Sequence, residues 1–392
     1  MWHPISMRAD ELSSRAREIH FASLVFDTHA DTPQRFFFDQ FDLGPRDAEG
    51  CVDIPRLREG GVGAIFFALW VPVEITGGAA TRRARDLLAA TVKQIEVHGS
   101  DLALCTSSRE VRAARAENKI VVLLGVEGGH AIDNDLAILR EFHAGGVRYM
   151  TLTHNAATEW ADSSNDAPRH NGLTDFGKQV IREMNRLGML VDISHVSDPT
   201  FYDVLETSRA PVVASHSCCR ALCDAPRNLD DGMIKALAAR GGVIHITFHD
   251  GFLSQEYANA NRARAAEIAS HEEAVIKKFG ENEARNLMEL QRLSDASIRA
   301  GKLPQVSWEK IVEHIDHAVG TAGADHVGVG SDFDGAFMPA GMEDASKFPR
   351  ITDGLLRRGF GEADIRKILG ENTLRVMTDA ERVGEMLRSE KS

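Results

Sequence analysis

IVVLLGVEG, residues 120–128, runs for seven residues without a polar side chain and then ends in Glu127. A run this short and this uniformly apolar suits a strand covered on both faces, as strands of a parallel sheet are. Seven further runs of the same kind lie on either side of it: LVFDTHAD (24–31), VGAIFFALW (62–70), VRYMTLTHN (147–155), MLVDISHV (189–196), PVVASHS (211–217), GVIHITFH (242–249) and HVGVGSDFDG (326–335). Helical periodicity fills most of the gaps, at 81–99, 133–145, 174–188, 197–208 and 231–241. Thr174 and Asp198 read as amino-terminal helix signals, and Gly145, Gly188 and Gly241 as carboxy-terminal ones.

Eight strands alternating with helices predict a parallel sheet closed into a (β/α)8 barrel. The rival is an open doubly wound sheet, whose nucleotide-binding form carries GxGxxG after its first strand. Here the first strand runs into DTHADTP, which offers no such loop. We read residues 1–392 as a single barrel domain. The stretch 252–303, between the seventh and eighth strands, reads as an insertion of one or two solvated helices over one mouth. About 55 residues after the last strand read as helices packed on the outside.

Composition narrows the function classes. Of 392 residues, 43% are hydrophobic and 26% charged, as in soluble globular proteins. The formal charge is −13, which argues against nucleic acid as a partner. Cys51, Cys105, Cys218, Cys219 and Cys223 form no CxxC pair and read as free thiols in a reducing compartment. The amino terminus lacks an export signal and no 18-residue apolar run exists, so the expectation is a cytoplasmic protein without a membrane partner.

Chemistry concentrates at the strand ends. Burying a charge costs several kcal/mol unless it is paired or metal-bound. Yet His29 and Asp31, Glu127, His154, His195, His216 and Asp332 all fall at or near carboxy-terminal strand ends, which in a barrel meet at one mouth. His29 and Asp31, two apart on a strand, face the same way. Three histidines and two carboxylates exceed the three protein ligands of one catalytic zinc, so the count suggests two ions about 3.5–4 Å apart sharing a hydroxide. Glu127 lies on a strand between the two ligand groups and is the natural bridge. Asp27 shares a face with His29 but lies deeper and reads as structural. Asp334 has the same parity as Asp332. Asn155, Trp160 and Asp162 are candidates to line the mouth. His130, His143, His314 and His317 look like ordinary surface or helix histidines.

HAD (29–31), GVEGG (125–129), LTHN (152–155), DISHVSD (192–198), SHSCCRALCDAPRN (215–228) and GSDFDG (330–335) occur in this order, and the set resembles the membrane dipeptidase (renal dipeptidase) family of zinc peptidases. The resemblance runs from about residue 20 to about residue 375. It implies that His29 and Asp31 hold one zinc, His195 and His216 the other, with Glu127 between them. His154 would stabilise the oxyanion, Arg227 would bind the substrate carboxylate, and Asp332 would carry the proton from water to the leaving amine. A dipeptide substrate, with a D-residue allowed at its carboxy-terminal position, and a homodimer are implied in the same way. Two departures stand out: mammalian members are exported, lipid-anchored and disulfide-linked, and Phe248-His249 stands where the family often has a tyrosine. The rival activities are hydrolysis of N-acyl amino acids, cyclic amides or lactones on the same metals. A silent binding or scaffold protein, from another class, would hold no metal or turn nothing over.

Overall fold

A computed structural model describes residues 12–390. Most of the amino-terminal stretch read above as lacking an export signal, residues 1–11, lies outside them, as do the last two residues. Nine parallel strands form one sheet: β1 (Val25–Ala30), β2 (Val62–Trp70), β3 (Leu102–Leu104), β4 (Ile120–Glu127), β5 (Val147–Thr151), β6 (Leu190–Asp192), β7 (Val213–Ser217), β8 (Val243–Ile246) and β9 (Val327–Val329). Neighbours run β2-β1-β9-β8-β7-β6-β5-β4, and a β2–β4 ladder closes the ring. The result is the (β/α)8 barrel expected, built from all eight strand runs.

The ninth strand, β3, was not anticipated. It is three residues long and pairs with Ile120–Val122 of β4, below the point where β5 joins at Leu124. Its LAL sequence is too short to carry a period.

The uniform apolar runs are explained by two-sided burial. Every residue of β1 and β4 is buried. Alternation along β2 and β4 divides them between two packed clusters. Ile65, Phe67, Leu69, Val122 and Leu124 pack in a cluster with Ala80, Ala84 and Leu87 of the helix Gly78–Val97. Phe66, Val121 and Leu123 pack with Tyr149 in the other. Glu127 has the parity of Leu123, so the strand that buries Leu123 carries the carboxylate to the barrel's end.

Helix punctuation follows local chemistry. Thr174 caps the helix Asp175–Leu187 by accepting from Gly177 N, and Gly188 ends it at φ 75°. For the next helix, Asp198–Thr207, the cap is Ser197 and not Asp198. Its hydroxyl accepts from Thr200 N, and Asp198 falls in the first turn, where its charge suits the helix dipole.

The insertion differs from its expected form. It folds as a one-turn helix, Asp250–Leu253, followed by three longer ones, Gln255–Ala263, Ala265–Phe279 and Glu283–Arg299. They are not merely solvated. Ile268, Leu287, Leu290 and Leu293 face a cavity above the barrel mouth, together with Arg264, Glu272 and Glu283. The last helix is tied at one end by Asn282 and Arg285, both donating to Asp39 Oδ1 at 2.9 Å, and near the other by Ser294 against the Tyr257 hydroxyl at 3.0 Å. It therefore bridges the mouth from the β1 side to the β8 side. His314, read as an ordinary surface or helix histidine, is helical but fully buried. Its Nδ1 accepts from Cys219 N at 3.0 Å.

Gly330, just past β9, sits where the backbone has no room for a side chain. A β-carbon there would run into the Ser215 carbonyl oxygen and Thr28 Oγ1. Backbone cannot yield as a flexible side chain does, so Gly330→Ala is expected to cost about 1–3 kcal/mol or more in urea unfolding. An unchanged midpoint would contradict this packing.

Candidate metal centre and active site

The carboxylate of Glu127, 3% exposed, lies among three imidazoles. Its Oε1 is 3.0 Å from His195 Nε2 and 3.3 Å from His216 Nε2, while Oε2 is 3.3 Å from His29 Nε2. One oxygen thus faces one histidine pair and the other faces the β1 side. There, His29 Nε2 is also 3.5 Å from Asp31 Oδ2 and 4.0 Å from Asp332 Oδ1. Three overlapping groups have ligand atoms close enough to enclose an ion: His29, Asp31 and Glu127; Glu127, His154 and His195; His29, His216 and Asp332.

Each side chain arrives from a different strand end: His29 on β1, Glu127 on β4, His216 on β7, with His195 just past β6 and Asp332 just past β9. His195 and Asp332 hold φ of 68° and 66°. Non-glycine residues rarely adopt this left-handed region, and such strain gathers at functional sites. Asp334 is also left-handed, at φ 61°, but its carboxylate accepts from Thr32 Oγ1 and Cys51 N. It ties loops together, which separates it from Asp332. Asp27 is likewise occupied, accepting from Ser331 N at 2.7 Å and Ser331 Oγ at 2.6 Å.

The unpaired atoms fit a cation. His29 Nε2 and Asp31 Oδ1 are buried without a hydrogen-bond partner, and such groups are costly unless something else satisfies them. The outer ring nitrogens are held for ligation. His29 Nδ1 lies 2.8 Å from the Tyr149 hydroxyl, and His216 Nδ1 lies 2.8 Å from Ser215 Oγ, which donates to Asp192 at 2.6 Å. Support of this kind fixes ring orientation in metal sites.

Electrostatics agree. Burial would raise the Glu127 carboxyl, but His29, His195 and His216 overcome it and hold it well below the usual carboxylate range. Burial drives Asp31 up to about 8 and raises Asp332, whose carboxyl faces Asp31 and Glu127. Burial depresses His195 and His216 well below 6.5, which keeps them neutral, the form that binds metal. His29 goes the other way: burial opposes its charge, but Glu127 and Asp31 draw a proton onto it. A concentrated negative field that seeks a cation is what a divalent ion would meet here.

His154 borders the group, its ring 4.5 Å from His195 and 5.4 Å from Trp70, and burial lowers its pKa to about 4. Arg227 is buried beneath, donating from Nη1 to Ser217 Oγ at 2.7 Å and from Nη2 to the His216 carbonyl at 2.6 Å. Asn155 lines the cavity. Trp160 and Asp162 do not. Trp160 is packed in the core beside Phe176, and Asp162 accepts backbone N–H groups of Arg169, His170 and Gly172 to shape a loop.

A cavity of about 480 Å³ lies above these residues. Gln34, Trp70 and His249 also line it; sequence reading did not select Gln34 or Trp70, and named His249 only as standing, with Phe248, where the family often has a tyrosine. Gln34 follows the HAD motif by three residues, a position from which a helix returns toward the same mouth. Tyr149 gave no sequence signal because it sits inside an apolar strand.

Comparison with known proteins agrees with this geometry. Residues 13–391 match the family model "Membrane dipeptidase (Peptidase family M19)". The chain is 32% identical over 398 residues to Dipeptidase 3 of Macaca fascicularis, covering 99% of this chain and 71% of that protein. It resembles the probable dipeptidase PvdM of Pseudomonas aeruginosa at TM-score 0.78 and 26% identity, covering 94% of this chain and 98% of that one. A metallopeptidase of Rhodobacter sphaeroides, solved with a phosphinate mimic of the dipeptide L-Ala-D-Ala, superposes at TM-score 0.75 and 25% identity, covering 91% and 99% respectively.

Removing the Tyr149 hydroxyl should loosen His29 without touching any ligand atom. Tyr149→Phe is expected to weaken divalent-metal affinity by about 10–100-fold in chelator competition, with secondary structure unchanged by circular dichroism. Affinity equal to the parent protein's would show that this hydrogen bond does not support ligation.

Proposed function

The chain belongs to the membrane dipeptidase family of metallopeptidases and is a metal-dependent dipeptidase; within that activity, we propose that it works with two zinc ions and the residue roles that follow. His29 and Asp31 would hold one ion and His195 and His216 the other, with Glu127 shared between them. The observation that carries this reading is the division of the Glu127 carboxylate, with Oε1 toward His195 and His216 and Oε2 toward His29. When bound, such a pair of ions supplies Lewis acidity and lowers the pKa of water at the site.

The remaining steps fall to side chains. Arg227 keeps Nε and one N–H on each Nη free of the bonds described above, enough for a carboxylate fork. It anchors the carboxy terminus of the dipeptide and sets the register of the scissile bond. In this reading the anchored carboxylate lies one residue from the scissile bond, which selects dipeptides over longer peptides. His154 is neutral near pH 7, since its pKa is depressed to about 4. It donates to the carbonyl oxygen as negative charge develops, an interaction of about 3 kcal/mol by analogy with oxyanion-hole deletions. Asp332, raised by burial, takes the proton released as water attacks and returns it to the leaving amino group. Asn155 borders the same space and contacts substrate.

A D-residue at the carboxy-terminal position fits this reading, supported by the L-Ala-D-Ala mimic bound in the Rhodobacter relative. No helix among the described residues is long and apolar enough to cross a membrane.

Two measurements test the proposal. Arg227→Ala is expected to raise KM for dipeptides by about 10–150-fold, the loss of a charge-assisted bond, while an unchanged KM removes the assigned role. Elemental analysis of protein purified without chelator is expected to give two zinc ions per chain at neutral pH, falling as acid protonates the histidines. One ion or none would overturn the two-zinc centre.

A further inference from the structure

The cavity over the metal-binding residues has two unlike halves. Its floor is polar: Asp31, Glu127, His154, His195, His216 and Asp332. Its roof comes from the insertion and carries an apolar patch, chiefly Leu287, Leu290 and Leu293, with Ile268 and Leu303, beside polar residues that include Arg264, Glu272 and Glu283. The three leucines are spaced by three along Glu283–Arg299, so they share one helix face, the face turned to the cavity. All three, like Ile268, are only half-buried. Apolar surface left uncovered in a pocket gains free energy when an apolar ligand covers it.

Size points the same way. At about 480 Å³ the cavity falls in the range that takes ligands well beyond two small residues. A dipeptide of two small residues would fill the polar floor and leave the leucine roof wet. The roof is also held in place: Asp39 ties down Asn282 and Arg285, and Arg83 donates to Glu281 at 2.9 Å. A tethered roof has less freedom to collapse onto a small substrate.

We infer that the preferred substrates are dipeptides bearing a bulky apolar side chain, aliphatic or aromatic, and that Leu290 and Ile268 are specificity-determining residues contributed by the insertion. The inference rests on the dipeptidase reading above and names its substrate class. The energy per group is modest. One methylene in a hydrophobic pocket discriminates by about 10–200-fold, so a leucyl or phenylalanyl side chain should separate clearly from a methyl group.

The test is a kcat/KM panel on the zinc-loaded full chain: L-Ala-D-Ala against L-Ala-D-Leu, L-Leu-D-Ala, L-Leu-L-Leu and L-Phe-L-Ala. The best bulky substrate is expected to exceed L-Ala-D-Ala by at least about tenfold. Leu290→Asn and Ile268→Asn, on separate helices, are each expected to reduce that ratio about tenfold, chiefly through KM. Unfolding midpoints identify any variant that has lost its fold, and the native panel stands without them. Turnover of L-Ala-D-Ala equal to or above the bulky substrates overturns the inference and leaves the dipeptidase reading intact. So does a preference for bulky substrates that neither folded variant alters, since the roof then does not set it. No turnover of any dipeptide overturns both.

Discussion

The arrangement turns on one buried carboxylate. Glu127 emerges from a strand with no polar residue before it and ends among three imidazoles, almost without solvent. A lone ion in that position would cost several kcal/mol. Its charge is tolerated because His29, His195 and His216 converge on it from three other strand ends. Asp31 and Asp332 add further acid to the same space, more than one imidazolium can balance, and the unpartnered His29 Nε2 and Asp31 Oδ1 mark where the balance is incomplete. Divalent cations resolve that excess. Metal dependence is thus a consequence of how the barrel distributes charge as well as a family trait.

The barrel makes this concentration possible at small cost in precision. Parallel strands end on one rim, so residues about three hundred positions apart meet without a long loop to carry them. Rigidity is reinforced just beneath the rim. Asp27 joins the first and last barrel strands through Ser331, Asp192 holds Ser215 behind His216, and Tyr149 stands behind His29. At the site itself, His195 and Asp332 take left-handed backbone conformations that the surrounding hydrogen bonds maintain.

Above the rim, the insertion turns an open mouth into a chamber. Its helices turn their leucines inward, with a few charged side chains such as Arg264 and Glu283 among them. The inward face meets reactants and solvent-filled space, whereas the other helices of the barrel meet the sheet. The floor suits a polar reaction and the roof suits apolar side chains, and the two are built from parts of the chain with different composition.

The sequence alone settled the eight strands, because two-sided burial leaves uninterrupted apolar runs, and it settled the position of the polar residues at their ends. The parity of His29 and Asp31 was legible for the same reason: a strand has a period of two. Other features needed the folded chain. Asp332 and Asp334 have the same parity, and only their partners, Asp31 and His29 for one, Thr32 and Cys51 for the other, tell them apart. Tyr149 and Gln34 lie in segments whose local pattern says strand and helix and nothing more, and Trp160 and Asp162 look like mouth residues until the loop that encloses them is seen. The insertion could be read as helical from its composition, but neither the number of its helices nor which way their leucines point. Local sequence encodes periodicity and burial, because these depend on neighbours a few residues apart. Which side chains share a cavity depends on how strands close and loops return, and that is decided only when the whole ring is formed.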